Sequence, residues 1–408
     1  MKRQRSHRPL PFLTSLGVAA HHKGEAEELH AKIRRLLKFR SFVFDSPSPL
    51  MSSDKSNQAN QQSPIAEPLV EVRRGAITES RHRGHIAAIE PDGRLVSYVG
   101  DPTTVTYLRS SAKPFQALPV IVSGASDRFG FDDREIAMAC ASHSGEPIHT
   151  EIVASMLKKI GLGPEALRCG VHEPFSATAT AELGARGQQP NAIHNNCSGK
   201  HAAMLAMARH LGVATETYDD PANPVQLAVA RMVSAFSGVP VEDLAVGVDG
   251  CGVPVFGITV RAMALAYARL ISPPTAFEDK VRKACATVVR VMSKYPELIG
   301  GTSDRLDTEV MRAAPGRLIS KVGAEGVYTA GVLPCDEWPN GLGLALKIED
   351  GDNDHRARPT AVIEALRQLS VLRDDPLRKV ARYSSFPVRN RRGDVVGEIR
   401  AAFSMKNS

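Results

Sequence analysis

Apolar residues recur at two different periods along this chain, and the switch between them orders it. From Leu69 onward, short apolar runs predict strands at residues 70–73, 85–89 and 94–99. A Pro91-Asp92-Gly93 turn joins the last two. Recurrence at three and four residues predicts a helix after Lys113 and others over 133–140, 147–160, 200–211, 225–236, 262–270, 276–295 and 359–372. Apolar strands fit 244–248, 253–260, 326–332 and 342–347. Early strands, many helices and late strands predict an α/β fold, a mixed sheet with flanking helices, rather than strict βαβ alternation.

The first part of the chain breaks this pattern. Residues 1–65 form a basic, then low-complexity, N-terminal extension, and residues 66–408 form a single domain. Within the extension, residues 25–40 carry Leu29, Ile33, Leu36 and Leu37 at helical spacing, and residues 46–64 are rich in Ser, Pro, Gln and Asn, as in a linker. The acid-free, Arg-rich start resembles a transit peptide; an appended start, with Met51 as the true one, is the reading we favour.

Charge follows the same boundary. The net charge is +7, but residues 1–65 hold 11 Lys+Arg against 5 Asp+Glu, and the remainder 40 against 39. A nearly neutral body argues against nucleic-acid binding. No apolar run approaches the roughly 20 residues that span a bilayer. The six cysteines (140, 169, 197, 251, 285 and 335) form no CxxC pair, and a chain this long needs no disulfide staples, so a cytoplasmic setting is expected. GxGxxG and Walker loops are absent, which leaves no case for a nucleotide or organic cofactor.

Candidate chemistry starts with Arg109-Ser110-Ser111-Ala112-Lys113-Pro114, which contains Ser-x-x-Lys. Positions three apart share a helix face, so Lys113 can sit over the Ser110 hydroxyl. Lysine serves as a base only when neutral, which requires its pKa to fall by about 3 units through burial or a nearby cation. The same tetrad occurs at residues 52–55, in the polar tract, and at 155–158, on an exposed helix face, so alone it decides little. Ala139-Cys140-Ala141-Ser142-His143-Ser144-Gly145-Glu146-Pro147 and His194-Asn195-Asn196-Cys197-Ser198-Gly199-Lys200-His201 are polar loops entering helices, which an ordinary N-cap also explains. Val248-Asp249-Gly250-Cys251-Gly252 puts an acid and a thiol at a strand end, where α/β sites gather. Lys321 closes an apolar run before Val322-Gly323-Ala324-Glu325-Gly326; a lysine at a strand end ordinarily points to water.

Together these five motifs resemble the rhizobial-type, class 3 L-asparaginases of the asparaginase II family, from about Leu69 to about Phe403. The resemblance implies a fold similar to serine β-lactamases and serine-dependent glutaminases, in a homodimer. It implies hydrolysis of L-asparagine to aspartate and ammonia through a serine acyl-enzyme. It pairs Ser110 with Lys113 and Ser142 with Lys321, and expects Lys113 to take the Ser110 proton while Ser142 and Lys321 relay protons. It assigns Arg109, Asp249 and His201 to substrate binding, and Cys197, Lys200 and Cys251 to a zinc ion that orients substrate rather than activating water. The residues leave other readings open. Cys197 could be a nucleophile with His194 or His201 as base, or Cys197 and Cys251 could serve a non-catalytic zinc or thiol sensor. A penicillin-binding activity is disfavoured by Val322, where that class has a hydroxyl residue.

Overall fold

The computed structural model describes residues 65–353 and 355–408. The expected extension over residues 1–65 lies outside them, apart from Ile65. A nine-stranded sheet forms the centre. It is built from β1 (Glu67–Arg74), β2 (Ile77–Ile89), β3 (Leu95–Val99), β7 (Leu318–Val322), β8 (Val327–Val332), β9 (Leu342–Ile348), β10 (Ser385–Arg389), β11 (Val395–Ala401) and the short β12 (Lys406–Asn407). The main path runs β10-β11-β1-β2-β9-β8-β7, with β3 also on β2 and β12 on β3. Every pairing in it is antiparallel. A three-stranded antiparallel sheet, β4 (Val105–Tyr107), β6 (Pro254–Thr259) and β5 (Ala245–Val248), stands apart from it.

The central strands read as continuous apolar runs because both faces are buried. On β2, Ala87 and Ile89 enter one apolar cluster while Ile86 and Ala88 enter the other. On β7, Ile319 and Leu318 divide the same way. The first face is covered by α1 (Lys113–Val122), α2 (Asp133–Ala139), α3 (Pro147–Lys159), α4 (Ser198–Leu211), α5 (Pro224–Ser237), α6 (Val260–Ile271) and α7 (Asp279–Lys294). Of these, α6 lies directly on β2, β8 and β9. It lies so close that a Cβ at Gly343 would come within 1.8 Å of Ala264 O. The other face carries α8 (Leu306–Ala313) and α9 (Arg358–Gln368).

This is the α/β architecture expected from the pattern. The boundaries move where a local signal outweighs periodicity: the helix expected from 276 begins at Asp279, and the one expected to reach 372 stops at Gln368, just before Ser370 with its φ of 59°. Several elements do not stand out in the periodic pattern, the β10–β11 hairpin and α8 among them. The β10–β11 hairpin alternates exposed and half-buried positions and so lacks an apolar run, and α8 is only eight residues long. Among the described residues, no helix is long and apolar enough to cross a membrane.

Candidate active site

Arg109–Ala112 forms one 3-10 turn that runs into α1 at Lys113, with Pro114 in the first helical turn. Arg109 enters it at φ 50°, a left-handed conformation that a non-glycine residue holds only when its surroundings enforce it. Ser110 is left half-buried while Lys113 is wholly buried. The Lys113 amine turns inward. Its Nζ lies 2.6 Å from Ala141 O, 2.8 Å from Ser142 Oγ and 3.1 Å from Asn196 O, and none of these contacts is with Ser110.

Ser142 follows α2, and its backbone is pinned from both sides. Its N–H donates to Ile299 O at 2.9 Å, and its carbonyl accepts from Arg305 Nη2 at 2.8 Å. Arg305 also donates to Ser144 Oγ and Gly300 O. The second lysine arrives from β7. Lys321 is not at a strand end facing water: it sits within β7 and is 0% exposed. Strand alternation sends it to the same face as Ile319, toward α1, and its Nζ lies 3.0 Å from Ser142 Oγ and 3.0 Å from Val322 O. One hydroxyl therefore stands between two buried amines, in place of two separate Ser–Lys pairs.

Burial dominates the electrostatics of both amines. It lowers the Lys113 pKa from the ordinary lysine value, helped by the charge of Lys200 and opposed by Cys197 and Cys251. It pushes Lys321 down to about 7, against the pull of Asp307 and with the help of Lys113 and Arg305. Both amines thus shift in the direction that a catalytic lysine requires. In the decoy at 155–158, Ser155 and Lys158 are both exposed on α3.

The β5–β6 turn brings the acid and a thiol to the same place. Arg109 Nε donates to Asp249 Oδ1 at 2.8 Å, and Gly250 N–H reaches the same oxygen. Burial pushes the Asp249 carboxyl up, but Lys200 and Arg109 outweigh it and hold it below its usual range. Arg109 Nη1 also faces Glu325 at 3.7 Å, another residue at positive φ, 57°. Cys251 and Cys197 are both buried, and the Cys251 thiol donates to Asp249 Oδ2 at 3.9 Å. The neighbouring Cys251, with Lys113 and Lys200 nearby, holds the Cys197 thiol well below its usual pKa. Burial works against charge on Lys200, yet Cys197 and Cys251 raise its pKa and keep it an ammonium.

Two sulfurs and an amine in one cluster form a donor set that suits zinc, provided the metal displaces the Lys200 proton. No group of three His, Cys, Asp or Glu able to hold a metal exists among the described residues, so Lys200 would have to be the third protein donor. His201 is 0% exposed and shares a 2.6 Å hydrogen bond with Tyr218 OH, while its Nε2 has no partner. Burial holds it neutral, and it meets no solvent-accessible space. His194 hydrogen-bonds Asn191, so neither histidine is engaged as a base for Cys197.

Sequence reading passed over Asn196 as an acceptor for Lys113, and Arg305 and Asp307 altogether. The last two lie near the start of α8, about 160 residues beyond Ser142, with no motif around them to mark them. A surface cleft of about 580 Å³ lined by Ile271, Arg282, Arg290, Lys294 and Leu333 holds none of the site groups. Its cations are paired with Asp279 and Asp133, so it offers no rival centre.

Comparison with known proteins places the chain in a family. The family model described as L-asparaginase II matches residues 70–401. No curated protein sequence matches. Among solved structures, the chain is similar to a Bacillus glutaminase at 13% identity, covering 85% of this chain and 99% of that one, with a TM-score of 0.34. It is similar to a probable glutaminase from Bacillus subtilis complexed with 6-diazo-5-oxo-L-norleucine, at 14% identity, 91% and 99% coverage and a TM-score of 0.36. A β-lactamase from Burkholderia ambifaria is similar at 15% identity, 70% and 93% coverage and a TM-score of 0.33.

Proposed function

Since this chain belongs to the L-asparaginase II family, and is thereby an amidohydrolase, we propose that it converts L-asparagine and water to L-aspartate and ammonia through a serine acyl-enzyme. The observation that carries this reading is Ser142 Oγ, held 2.8 Å from one buried amine and 3.0 Å from another. A neutral Lys113 has two N–H bonds for the carbonyls of Ala141 and Asn196, and turns its lone pair toward the hydroxyl. An ammonium at Lys321 donates to Ser142 Oγ and Val322 O and faces Asp307. A hydroxyl between an acceptor and a donor is poised to pass protons either way.

Ser110 is the nucleophile in this reading, because it is the less buried of the two serines and can meet a substrate. Its oxygen bonds the side-chain carbonyl carbon of asparagine as its proton passes to Lys113, whose lone pair would have to turn from Ser142 to receive it. Ser142 gives its proton to the departing nitrogen and regains one from Lys321, and the carbon–nitrogen bond breaks. Water then takes the place of ammonia, and hydrolysis of the ester releases aspartate. Asp249 would hold the substrate's α-ammonium, since the Lys200 and Arg109 charges keep it a carboxylate; Arg109 would face the α-carboxylate. Cys197, Lys200 and Cys251 would hold a zinc ion, which when bound would supply a fixed positive charge beside the substrate.

Both lysine amines contact Ser142, and this favours a second reading in which Ser142 itself attacks. One experiment addresses both. Ammonia release from L-asparagine, with L-glutamine alongside, is measured for wild type, Ser110→Ala and Ser142→Ala. Wild type releases ammonia, and Ser110→Ala loses at least about a thousandfold. Retained activity in Ser110→Ala moves the nucleophile to Ser142. No release from asparagine by wild type, with or without added zinc, overturns the substrate assignment. Discrimination against glutamine rests on one methylene, worth about 1–3 kcal/mol. The homodimer and the cytoplasmic setting belong to the same proposal. Six free thiols support a reducing compartment, and light scattering measures the oligomeric state.

A further inference from the structure

Asp307 lies at the start of α8, is 1% exposed, and touches β7 in an unusual way. Successive residues of a strand point to opposite faces, so one side chain ordinarily meets only one of them. β7 ends the ladder, with β8 on its only paired side. A carboxylate beyond that edge can reach both. Asp307 Oδ1 accepts from Ser320 Oγ at 3.1 Å, and Ser320 is itself 2.9 Å from Tyr328 OH. Asp307 Oδ2 hydrogen-bonds nothing, and it stands 3.6 Å from Lys321 Nζ with both side chains wholly buried.

We infer that Asp307 is a positioning residue for the reaction proposed above: it holds Lys321 as the ammonium that donates to Ser142 Oγ. The inference rests on that functional reading. The other groups near Lys321 are two basic side chains and two sulfurs, of which Cys197 also favours its proton. Lys113 faces it across Ser142, Arg305 stands before α8, and Cys140 and Cys197 lie on the α2 and α4 sides. Arg358, Tyr328 and Tyr267 surround Asp307 from the remaining sides. Asp307 is the carboxylate paired with Lys321, and without it an ammonium in this place would face Arg305 with only the Cys197 sulfur in opposition. Burial, Arg305 and any charge on Lys113 drive the Lys321 proton off, and Asp307 alone among the carboxylates of the site draws it back. The carboxylate never meets the substrate; it acts through the amine.

The test is the pH profile of kcat for ammonia release from L-asparagine by wild type, Asp307→Asn and Asp307→Glu. An opposite charge favours the protonated amine, so removing it lets Lys321 lose its proton at lower pH. In Asp307→Asn, kcat falls about tenfold or more while KM changes little, and the alkaline limb moves down by about one pH unit or more. Asp307→Glu keeps the charge, so its limb stays at the wild-type pH although kcat drops. A folded Asp307→Asn whose limb does not move overturns the inference, however low its kcat, because a purely structural role lowers activity without shifting a titration. Should Asp307→Asn not fold, a displaced limb in Asp307→Glu overturns it instead. If wild type hydrolyses no asparagine, the functional reading fails. Nitrogen NMR of Lys321 Nζ, assigned by its loss in Lys321→Met, then decides the inference: titration at a lower pH in the Asn variant supports it, and an unmoved titration overturns it.

Discussion

Three wholly buried lysines meet within one site, and each meets the cost of burial differently. An ammonium out of water must find an anion or give up its proton. Lys200 finds thiolate sulfur and keeps its proton. Lys321 has a carboxylate at 3.6 Å that offsets burial only in part. Lys113 contacts two carbonyls and a hydroxyl, and burial prevails. A residue-level test follows from Lys200, whose charge depends on the Cys197 sulfur. Cys197→Ser replaces the sulfur that draws Lys200 and Cys251 together. It should weaken zinc retention at least about tenfold, measured as metal content after dialysis. It should also keep a substantial part of the amidase activity, because the proposed serine chemistry would run through Ser110, Ser142 and the other two lysines. A thiol hydrolase would instead lose nearly all turnover in the same variant.

At the scale of elements, the site depends on how closely α4 approaches α2. Gly199, in the first turn of α4, would place a Cβ 2.3 Å from Met138 O and 2.6 Å from Met138 Cγ. That approach lets the Cys197–Lys200 turn lie beside Ser142, and His143 fastens the two with a 2.9 Å hydrogen bond to Ser198 Oγ. Gly199→Ala pushes against backbone, which cannot rotate away. It should cost about 1–3 kcal/mol, read as a lowered midpoint of thermal unfolding. Ammonia release should fall further than stability does, since the displaced turn carries Asn196, the acceptor for Lys113. Several elements around the site were legible in the sequence: α1, α2, α3 and α4 fall within a few residues of the periodic pattern. α8 was not, because eight residues hold too few apolar repeats to stand out, although it delivers Asp307.

For the whole molecule, β1 is the element that ties the ends of the chain together. It pairs with β2 on one side and with β11, from the far end of the sequence, on the other. Deleting residues 1–64 stops short of β1 and of the family match, which begins at residue 70. That deletion should leave circular dichroism and ammonia release close to those of the full chain. Deletion through residue 74 removes a strand from the sheet interior, exposing the edges of β2 and β11, and should abolish cooperative unfolding. Sequence alone determined the kinds of chemistry available here: the serines, lysines, thiols and acid stand in motifs whose residue types carry their own meaning. It also determined the α/β class, because periodicity reports which face of an element is buried. Spacing within Ser110–Lys113 placed two residues on one turn but not the end of a long, flexible lysine side chain. The tertiary structure decided that point, since the acceptors for Lys113 come from Ala141, Ser142 and Asn196 on other elements. It also decided that Lys321 faces the interior and has Asp307 as its counter-charge, because only the assembled sheet establishes which strand lies at its edge.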